Sequence, residues 1–187
     1  MADVEREQPS RRWLLVVAGI VAAAAGGVVA AVVVLRDGEE GTNGAFPTAP
    51  MASSADGLRS FASAIGHPVY WAGPLPSYTY ELRLTSQGRV FVRYLPNGVE
   101  IGDRRASFLT VATYPVTNAV AALRNAAARG GVGIEIESGG FAYYDRSKPT
   151  SVYFATRRTP GYEVEVFDPS PLRARSLVLA GRIRPIG

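Results

Sequence analysis

The chain has 187 residues, with 20 basic and 16 acidic side chains, a formal net charge of +4 at pH 7, one histidine and no cysteine. The absence of cysteine excludes a disulfide framework, thiolate chemistry and cysteine metal sites, and a single histidine excludes a site built from several histidines. A chain of this length has room for one ordinary domain and an additional segment.

The N-terminal part contains a long apolar segment from Trp13 to Leu35, WLLVVAGIVAAAAGGVVAAVVVL. As a helix that rises about 1.5 Å per residue, it extends about 35 Å, which is enough to cross the hydrocarbon core of a bilayer. The sequence therefore predicts a tail over residues 1–12 and a single transmembrane helix over residues 13–35.

The charges that flank this segment predict its orientation. Arg6, Arg11 and Arg12 precede it, whereas Arg36 is followed by acidic residues. Because basic residues resist translocation, the N-terminus is expected in the cytoplasm and everything from about residue 37 outside the cell membrane.

Two export signals are alternatives to a permanent anchor. The small residues at 22–25 offer cleavage sites for a secretory signal peptide, although the apolar run is longer than a typical signal core. The sequence SRRWLL at 10–15 places two arginines before a hydrophobic pair, as in a twin-arginine signal. These residues leave open whether the segment is cleaved.

Within the predicted span, small residues recur every four positions. They are Gly19, Ala23, Gly27 and Ala31. Small residues at this spacing let two helices approach closely, so the ridge predicts self-association of the chain. The alternative is that a segment so rich in alanine and glycine produces such a ridge by composition alone.

After the span, residues 36–56 are rich in Gly, Pro, Ala, Ser and Thr, which predicts a flexible tether. The remaining residues, 57–187, are expected to form one extracytoplasmic domain. In its opening segment DGLRSFASAIG, Asp56 as N-cap and Gly66 as the stop predict a short amphipathic helix. The PVYW segment that follows predicts a short strand.

The clearest local pattern is a β-hairpin in YTYELRLTSQGRVFVRYL at 78–95, with its loop at 86–88. The pairs expected on its apolar side are Leu84 with Val90, Leu82 with Val92, and Tyr80 with Tyr94. On the other side, Glu81 faces Arg93 and Arg83 faces Phe91, which predicts an ion pair and a cation–π contact.

The rest of the domain alternates between strands and helices. Strands are predicted in SFLTVATYP, VGIEIES, GFAYYD, TSVYFATRR and GYEVEVFD, and helices in TNAVAALRNAAARGG and SPLRARSLVLAG. The order of helix, four strands, helix, four strands and helix predicts an α+β fold, an antiparallel sheet with helices packed on one face. A strand, a proline break and a helix occur in both halves, which raises an internal duplication as a further interpretation.

Segments of this domain resemble those of uncharacterised single-pass membrane proteins of high-GC Gram-positive bacteria. The resemblance rests on GHPVYWAGP at 66–74 and extends to YTYEL, VFVRYLP, FLTVATYP, RSKPTSVY and EVFDPSP, which together span nearly the whole outer domain. It implies the same architecture and localisation. It implies no catalytic residue, because no activity is attached to that family.

The sequence contains no GxSxG elbow, HExxH motif, phosphate-binding loop or EF-hand loop, and no cofactor is expected. Two carboxylate pairs, Glu135 with Glu137 and Glu163 with Glu165, lie two residues apart on predicted strands, a spacing that permits glycan hydrolysis. The same alternation is typical of a strand with one solvated side, which is the favoured interpretation.

The candidates for partner binding are aromatic and basic. Trp71 and Tyr78 lie in the stretch GHPVYWAGPLPSYTYEL, which also holds the single histidine, His67, and either ring could contact a sugar or a peptide if it is exposed. Arg104 and Arg105 form one of several arginine pairs in a basic domain, which favours anionic lipid headgroups, teichoic-type envelope polymers or acidic protein partners. A nucleic-acid partner is not expected outside the cell.

These patterns together predict a non-enzymatic, membrane-anchored extracytoplasmic module that binds an envelope component or a protein partner. An envelope enzyme that acts on glycans through a carboxylate pair is one alternative. A structural subunit of a membrane complex, with the small-residue ridge as its interface, is another.

Overall fold

The computed structural model describes residues 49–137 and 139–186. In chain order the elements are β1 (Met51–Ser53), α1 (Ala55–Ile65), β2 (Tyr70–Trp71), β3 (Tyr78–Leu84), β4 (Val90–Pro96), β5 (Thr110–Pro115), α2 (Ala119–Ala128), β6 (Val132–Ile136), β7 (Gly140–Tyr144), β8 (Ser151–Ala155), β9 (Tyr162–Phe167), α3 (Pro171–Leu179) and β10 (Arg184–Pro185).

The predicted tail over 1–12, the transmembrane helix over 13–35 and its ridge of small residues lie outside the described residues. The ridge consists of Gly19, Ala23, Gly27 and Ala31. Among the helices that are described, none has the length and apolar character needed to cross a bilayer.

Eight of the described strands form one sheet in the order β1-β3-β4-β5-β9-β8-β7-β6, and β2 pairs with β10 in a separate ribbon. All of these pairings are antiparallel. The predicted α+β class with an antiparallel sheet is therefore confirmed. The strands β1 and β10 are additions that the sequence did not predict.

The β3–β4 hairpin has the predicted register, with Leu82 opposite Val92 and Glu81 opposite Arg93. The turn closes through a hydrogen bond of 2.9 Å from the Thr85 backbone N–H to the Arg89 carbonyl. The predicted ion pair is also present, with 2.6 Å between Arg93 Nη1 and Glu81 Oε1. Arg83 lies opposite Phe91 as predicted, and the Phe91 ring packs edge-on against Tyr114 at 5.9 Å between centroids.

The folded part begins before residue 57. Ser54 rather than Asp56 caps α1, because the Ser54 hydroxyl accepts a hydrogen bond of 3.0 Å from the backbone N–H of Gly57. Strand β1, at Met51–Ser53, pairs with β3 at the edge of the sheet. The last residues of the predicted tether at 36–56 therefore belong to the domain, and Gly66 ends α1 as predicted.

One side of the sheet carries the main hydrophobic core. Its residues alternate along the strands and pack against α1, α3 and the β2–β10 ribbon. The fully buried members with the largest side chains include Tyr94, Leu58, Val69, Val90, Val92, Val111, Val164 and Val166. Period-two alternation of apolar residues places these side chains on one side because successive strand residues point to opposite faces.

Helix α2 packs on the opposite side of the sheet, so the prediction of helices on a single face is wrong. Leu123 of α2 is fully buried and packs with Phe141 of β7 and Tyr153 of β8. The strand neighbours Ala142 and Val152 point into the main core. Both sides of β7 and β8 are thus apolar, and α2 covers the side that the main core leaves open.

Candidate binding site

The stretch at 66–82 forms a corner that joins α1 to the sheet. Trp71 is 8% exposed, its backbone pairs with Arg184, and its ring packs edge-on against Tyr80 at 5.9 Å. Trp71 therefore lacks the exposure on which its candidacy for partner binding depended, because the β2–β10 ribbon turns this ring into the main core.

His67 makes contacts of a structural kind. Its ring stacks on Tyr162 at 5.6 Å between centroids, and its Nδ1 lies 3.2 Å from the carbonyl oxygen of Pro68. The His67 ring is therefore held by the packing of this corner.

Tyr78 is half-buried and lines a cavity of about 250 Å³. The cavity lies where β3 begins, β4 ends and α3 begins, and we call it the α3 pocket. The side chains used below are Tyr78, Tyr94, Phe108, Asp168 and Arg173. Tyr78 is therefore the aromatic candidate from the sequence that lines a cavity.

Asp168 is a buried carboxylate in the wall of the α3 pocket. It is 3% exposed, and its Oδ1 accepts a hydrogen bond of 2.8 Å from the backbone N–H of Ser170. Its Oδ2 forms an ion pair of 3.4 Å with Arg173 Nη1 but has no hydrogen-bond partner within the described residues. A buried acceptor without a hydrogen bond is costly, so this oxygen has unused capacity to accept one from a ligand.

The segment DPSP at 168–171 positions this carboxylate. The Asp168 backbone N–H donates to the Thr150 carbonyl at 3.0 Å, and the Ser170 hydroxyl caps α3. The sequence predicted the helix in SPLRARSLVLAG but missed Asp168 and Arg173 as site residues. An acidic residue two positions before a helix cap is a usual structural pattern, so this signal did not distinguish a pocket.

Tyr94 lies behind Tyr78 and is held in place. Its hydroxyl accepts from the Ala72 backbone N–H at 2.7 Å and donates to the Gly73 carbonyl at 3.1 Å. Burial raises the pKa of the Tyr94 hydroxyl. The Tyr78 ring packs edge-on against Tyr94 at 6.3 Å, so a fixed aromatic residue supports the ring that lines the cavity.

Arg105 lines a second cavity of about 340 Å³, formed by the loop at 98–105. Arg105 Nη2 lies 2.6 Å from Asp103 Oδ2, and the hydrogen bonds from Arg105 lower the pKa of Asp103 to about 2. Arg104 is exposed. The charge of Arg105 is therefore largely balanced by its neighbour, which makes it a weaker candidate for an anionic partner than the sequence suggested.

The first carboxylate pair lies on the solvated side of β6. Glu135 and Glu137 are both exposed, and Glu135 forms an ion pair of 2.7 Å with the exposed Arg124. The interpretation as a solvated face is confirmed for this pair.

The second pair is buried, so the predicted solvated face is wrong for Glu163 and Glu165, which are 7% and 6% exposed. Glu165 accepts hydrogen bonds from Tyr114 at 2.6 Å, Ser151 at 2.7 Å and Tyr153 at 3.1 Å. Burial and the nearby Glu165 carboxylate raise the pKa of Glu163 to about 7. These carboxylates lie on the same side of the sheet as α2, and the neighbouring tyrosines remove them from water.

Neither of the two cavities described above is lined by Glu163 or Glu165. In the part of the chain that the structure covers, no cluster of three or more His, Cys, Asp or Glu side chains is arranged to hold a metal ion. Comparisons of the chain with protein-family models, with curated proteins and with solved structures gave no match.

Proposed function

We propose that this chain is a membrane-anchored extracytoplasmic module that binds a component of the cell envelope in the α3 pocket. The observation that carries the proposal is the buried Asp168 carboxylate in the pocket wall, whose Oδ2 is ion-paired with Arg173 but lacks a hydrogen bond within the described residues. A ligand that donates one hydrogen bond there would satisfy it.

The size and walls of the pocket favour a sugar unit as the ligand. A cavity of about 250 Å³ is smaller than the pockets of about 300–1,000 Å³ that hold drug-sized ligands, so it suits a single ring. Asp168 can accept from a hydroxyl, Arg173 can donate to another, and Tyr78 offers an aromatic face to the C–H groups of the ring. The Asp168 carboxylate disfavours an anionic ligand at the same place.

The test is binding of the full-length protein, reconstituted in nanodiscs, to an array of neutral saccharides. Tyr78→Ala should weaken binding about tenfold because it removes the aromatic wall, and the matched variant Tyr78→Phe should retain binding because it keeps the ring. Arg173→Gln should also weaken binding. Failure of every saccharide to bind, or equal binding by Tyr78→Ala and the unmodified chain, would contradict the proposal.

The cell-membrane localisation and the topology are part of this proposal. The apolar segment at 13–35 and the arginines before it support a single-pass anchor with the domain outside the cell. The ridge at Gly19 and Gly27 supports self-association, in a homo-oligomer or as a subunit of a membrane complex. Replacing both glycines by leucine should abolish association in detergent, and unchanged association would count against the ridge.

An internal duplication is a further part of the proposal. The strands β5 and β9 are neighbours at the centre of the sheet. The order β3, β4, β5 on one side of the centre mirrors the order β7, β8, β9 on the other. The outermost strands differ, because β1 precedes α1 in the chain whereas β6 follows α2. This arrangement supports a duplication in which the first half recruited β1 to the edge.

A second candidate is an envelope enzyme that acts on glycans through Glu163 and Glu165. The observation that favours it is that the two carboxyl groups have unlike environments, since burial raises the pKa of Glu163 to about 7 while three hydroxyl groups donate hydrogen bonds to Glu165. Glu163→Gln would then abolish glycan cleavage, with Glu135→Gln as the matched control. If the chain only binds, both variants bind saccharide like the unmodified protein.

A further inference from the structure

The solvent-facing side of α3 presents two large apolar side chains. Leu172 is 73% exposed and Leu179 is 50% exposed. They are seven positions apart, which is about two helical turns, so they lie on the same side of the helix. Ala174 and Val178 of the same helix are buried in the main core, so the leucines point away from the sheet.

Arginines flank this apolar pair, and the nearest acidic residue in the sequence, Asp168, is buried and forms an ion pair with Arg173. Residues 169–186 contain Arg173, Arg175, Arg182 and Arg184 and no Asp or Glu. Arg175 lies over the Tyr144 ring at 5.1 Å, and both Arg182 and Arg184 are exposed. Exposed leucines between long basic side chains are typical of helices that lie in the headgroup region of a membrane.

A second copy of the chain is a less suitable partner for this surface. Pairing two α3 helices would bring the arginines of both copies together, and the segment offers no acidic residue to offset their repulsion. A negatively charged lipid surface instead complements the arginines and accepts the leucines.

The predicted anchor also favours a lipid surface, and in this respect the inference rests on the proposed topology. Only residues 36–48 connect the predicted span to the described domain, and at full extension they reach about 45 Å. The domain is therefore held close to the bilayer, where a weak surface contact suffices to orient it.

We infer that the outer side of α3 docks on an anionic lipid surface. Leu172 and Leu179 insert between the headgroups, and Arg182 and Arg184 bind the lipid phosphates. Because Arg173 belongs to both α3 and the α3 pocket, docking places that pocket beside the membrane surface.

The chain has no cysteine, so a single introduced cysteine can report on this contact. The full-length Leu172→Cys protein, carrying a nitroxide label, is reconstituted in vesicles of phosphatidylcholine alone or with phosphatidylglycerol. With phosphatidylglycerol, the label should become more accessible to oxygen and less accessible to an aqueous nickel chelate. A label at Asn125→Cys, on α2 on the other side of the sheet, is the matched control and should stay accessible to water.

Substituting the exposed arginines tests the charge. Arg182→Gln with Arg184→Gln should reduce the immersed fraction of the Leu172 label about tenfold. The inference would be overturned if the label stayed in water with phosphatidylglycerol. It would also be overturned if substituting both arginines left the immersed fraction unchanged. Flotation of the protein with the vesicles shows whether the anchor inserts, and saccharide binding shows whether the α3 pocket works. Failure of the lipid contact is therefore distinguishable from failure of the proposed function.

Discussion

Glu163 and Glu165 lie two residues apart on β9, yet their environments differ. Three hydroxyl groups hydrogen-bond to the carboxylate of Glu165. Burial and repulsion from Glu165 raise the pKa of Glu163 from 4.5 to about 7. The folded protein therefore holds a proton on Glu163 at pH values where the unfolded chain has released it.

The raised pKa of Glu163 makes the free energy of unfolding depend on pH. Between about pH 4.5 and pH 7 the folded state binds more protons than the unfolded state, so the free energy of unfolding falls as the pH rises through this window. Glu163→Gln removes the ionisation, and we expect it to stabilise the protein by about 3 kcal/mol at pH 8 and to change little at pH 4. Urea unfolding at both pH values measures this, with Glu135→Gln as control. If Glu163→Gln had the same pH dependence of stability as the unmodified protein, the prediction would be wrong.

Glu81 presents the opposite case, a buried carboxylate that is fully paired. It is 2% exposed and accepts hydrogen bonds from Arg93 and from the backbone N–H of Gly102. Glu81→Ala should cost about 3–5 kcal/mol, because Arg93 is left as an unpaired charge with little exposure. Glu135→Ala, which breaks an exposed ion pair, should cost about 1 kcal/mol or less. Equal losses in chemical denaturation would show that the burial of Glu81 does not matter.

The Glu81–Arg93 pair shows what counting residues along a hairpin can predict. The turn at 86–88 sets the register, so the partners were predictable. Their burial was not, because the loop between β4 and β5 covers them, with Gly102 bonded to Glu81 and Phe108 packed on the Arg93 guanidinium.

At the scale of elements, the position of α2 depends on strands that are apolar on both sides. The strand β8 directs Val152 and Phe154 to the main core and Tyr153 and Ala155 to α2. The sequence predicted both helix and strands, but a strand without alternation does not tell which side a helix will cover.

A pair of leucine substitutions tests the docking of α2. Leu123→Ala should destabilise the protein by about 2–5 kcal/mol, because it leaves a cavity between α2 and the sheet. Leu172→Ala makes the same chemical change on the exposed side of α3 and should change the free energy of unfolding by about 0.5 kcal/mol or less. Thermal or urea unfolding of the two variants measures both changes in the free energy of unfolding. Similar losses would mean that α2 is not packed as described.

At the scale of the whole molecule, the C-terminal segment closes the domain. Ile183 and Ile186 are buried, and the Ile186 backbone N–H donates to the Val69 carbonyl at 2.7 Å. Strand β10 also pairs with β2, so residues at the end of the chain contact the corner at 66–82. The two halves of the sequence therefore share one core.

Deleting residues 183–187 tests this closure. The loss of two buried isoleucines should lower the free energy of unfolding by about 3–6 kcal/mol, and water should reach Trp71, which pairs with Arg184. Denaturant unfolding followed by tryptophan fluorescence measures both effects. Arg184→Ala is the control and should leave both nearly unchanged, since its side chain is exposed. A truncated chain as stable as the full one would contradict the closure.

The sequence by itself determined the α+β class, the order of the main helices and strands and the register of the β3–β4 hairpin. Those features follow from turn residues, helix stops and period-two alternation, which act between residues close in the chain. Only the tertiary structure decided that α2 covers the second side of the sheet, that Trp71 and Glu163 are buried, and that Tyr78 meets Asp168 in one pocket. Burial and cavities depend on which distant segments pack together, and no local pattern in this chain specifies that packing.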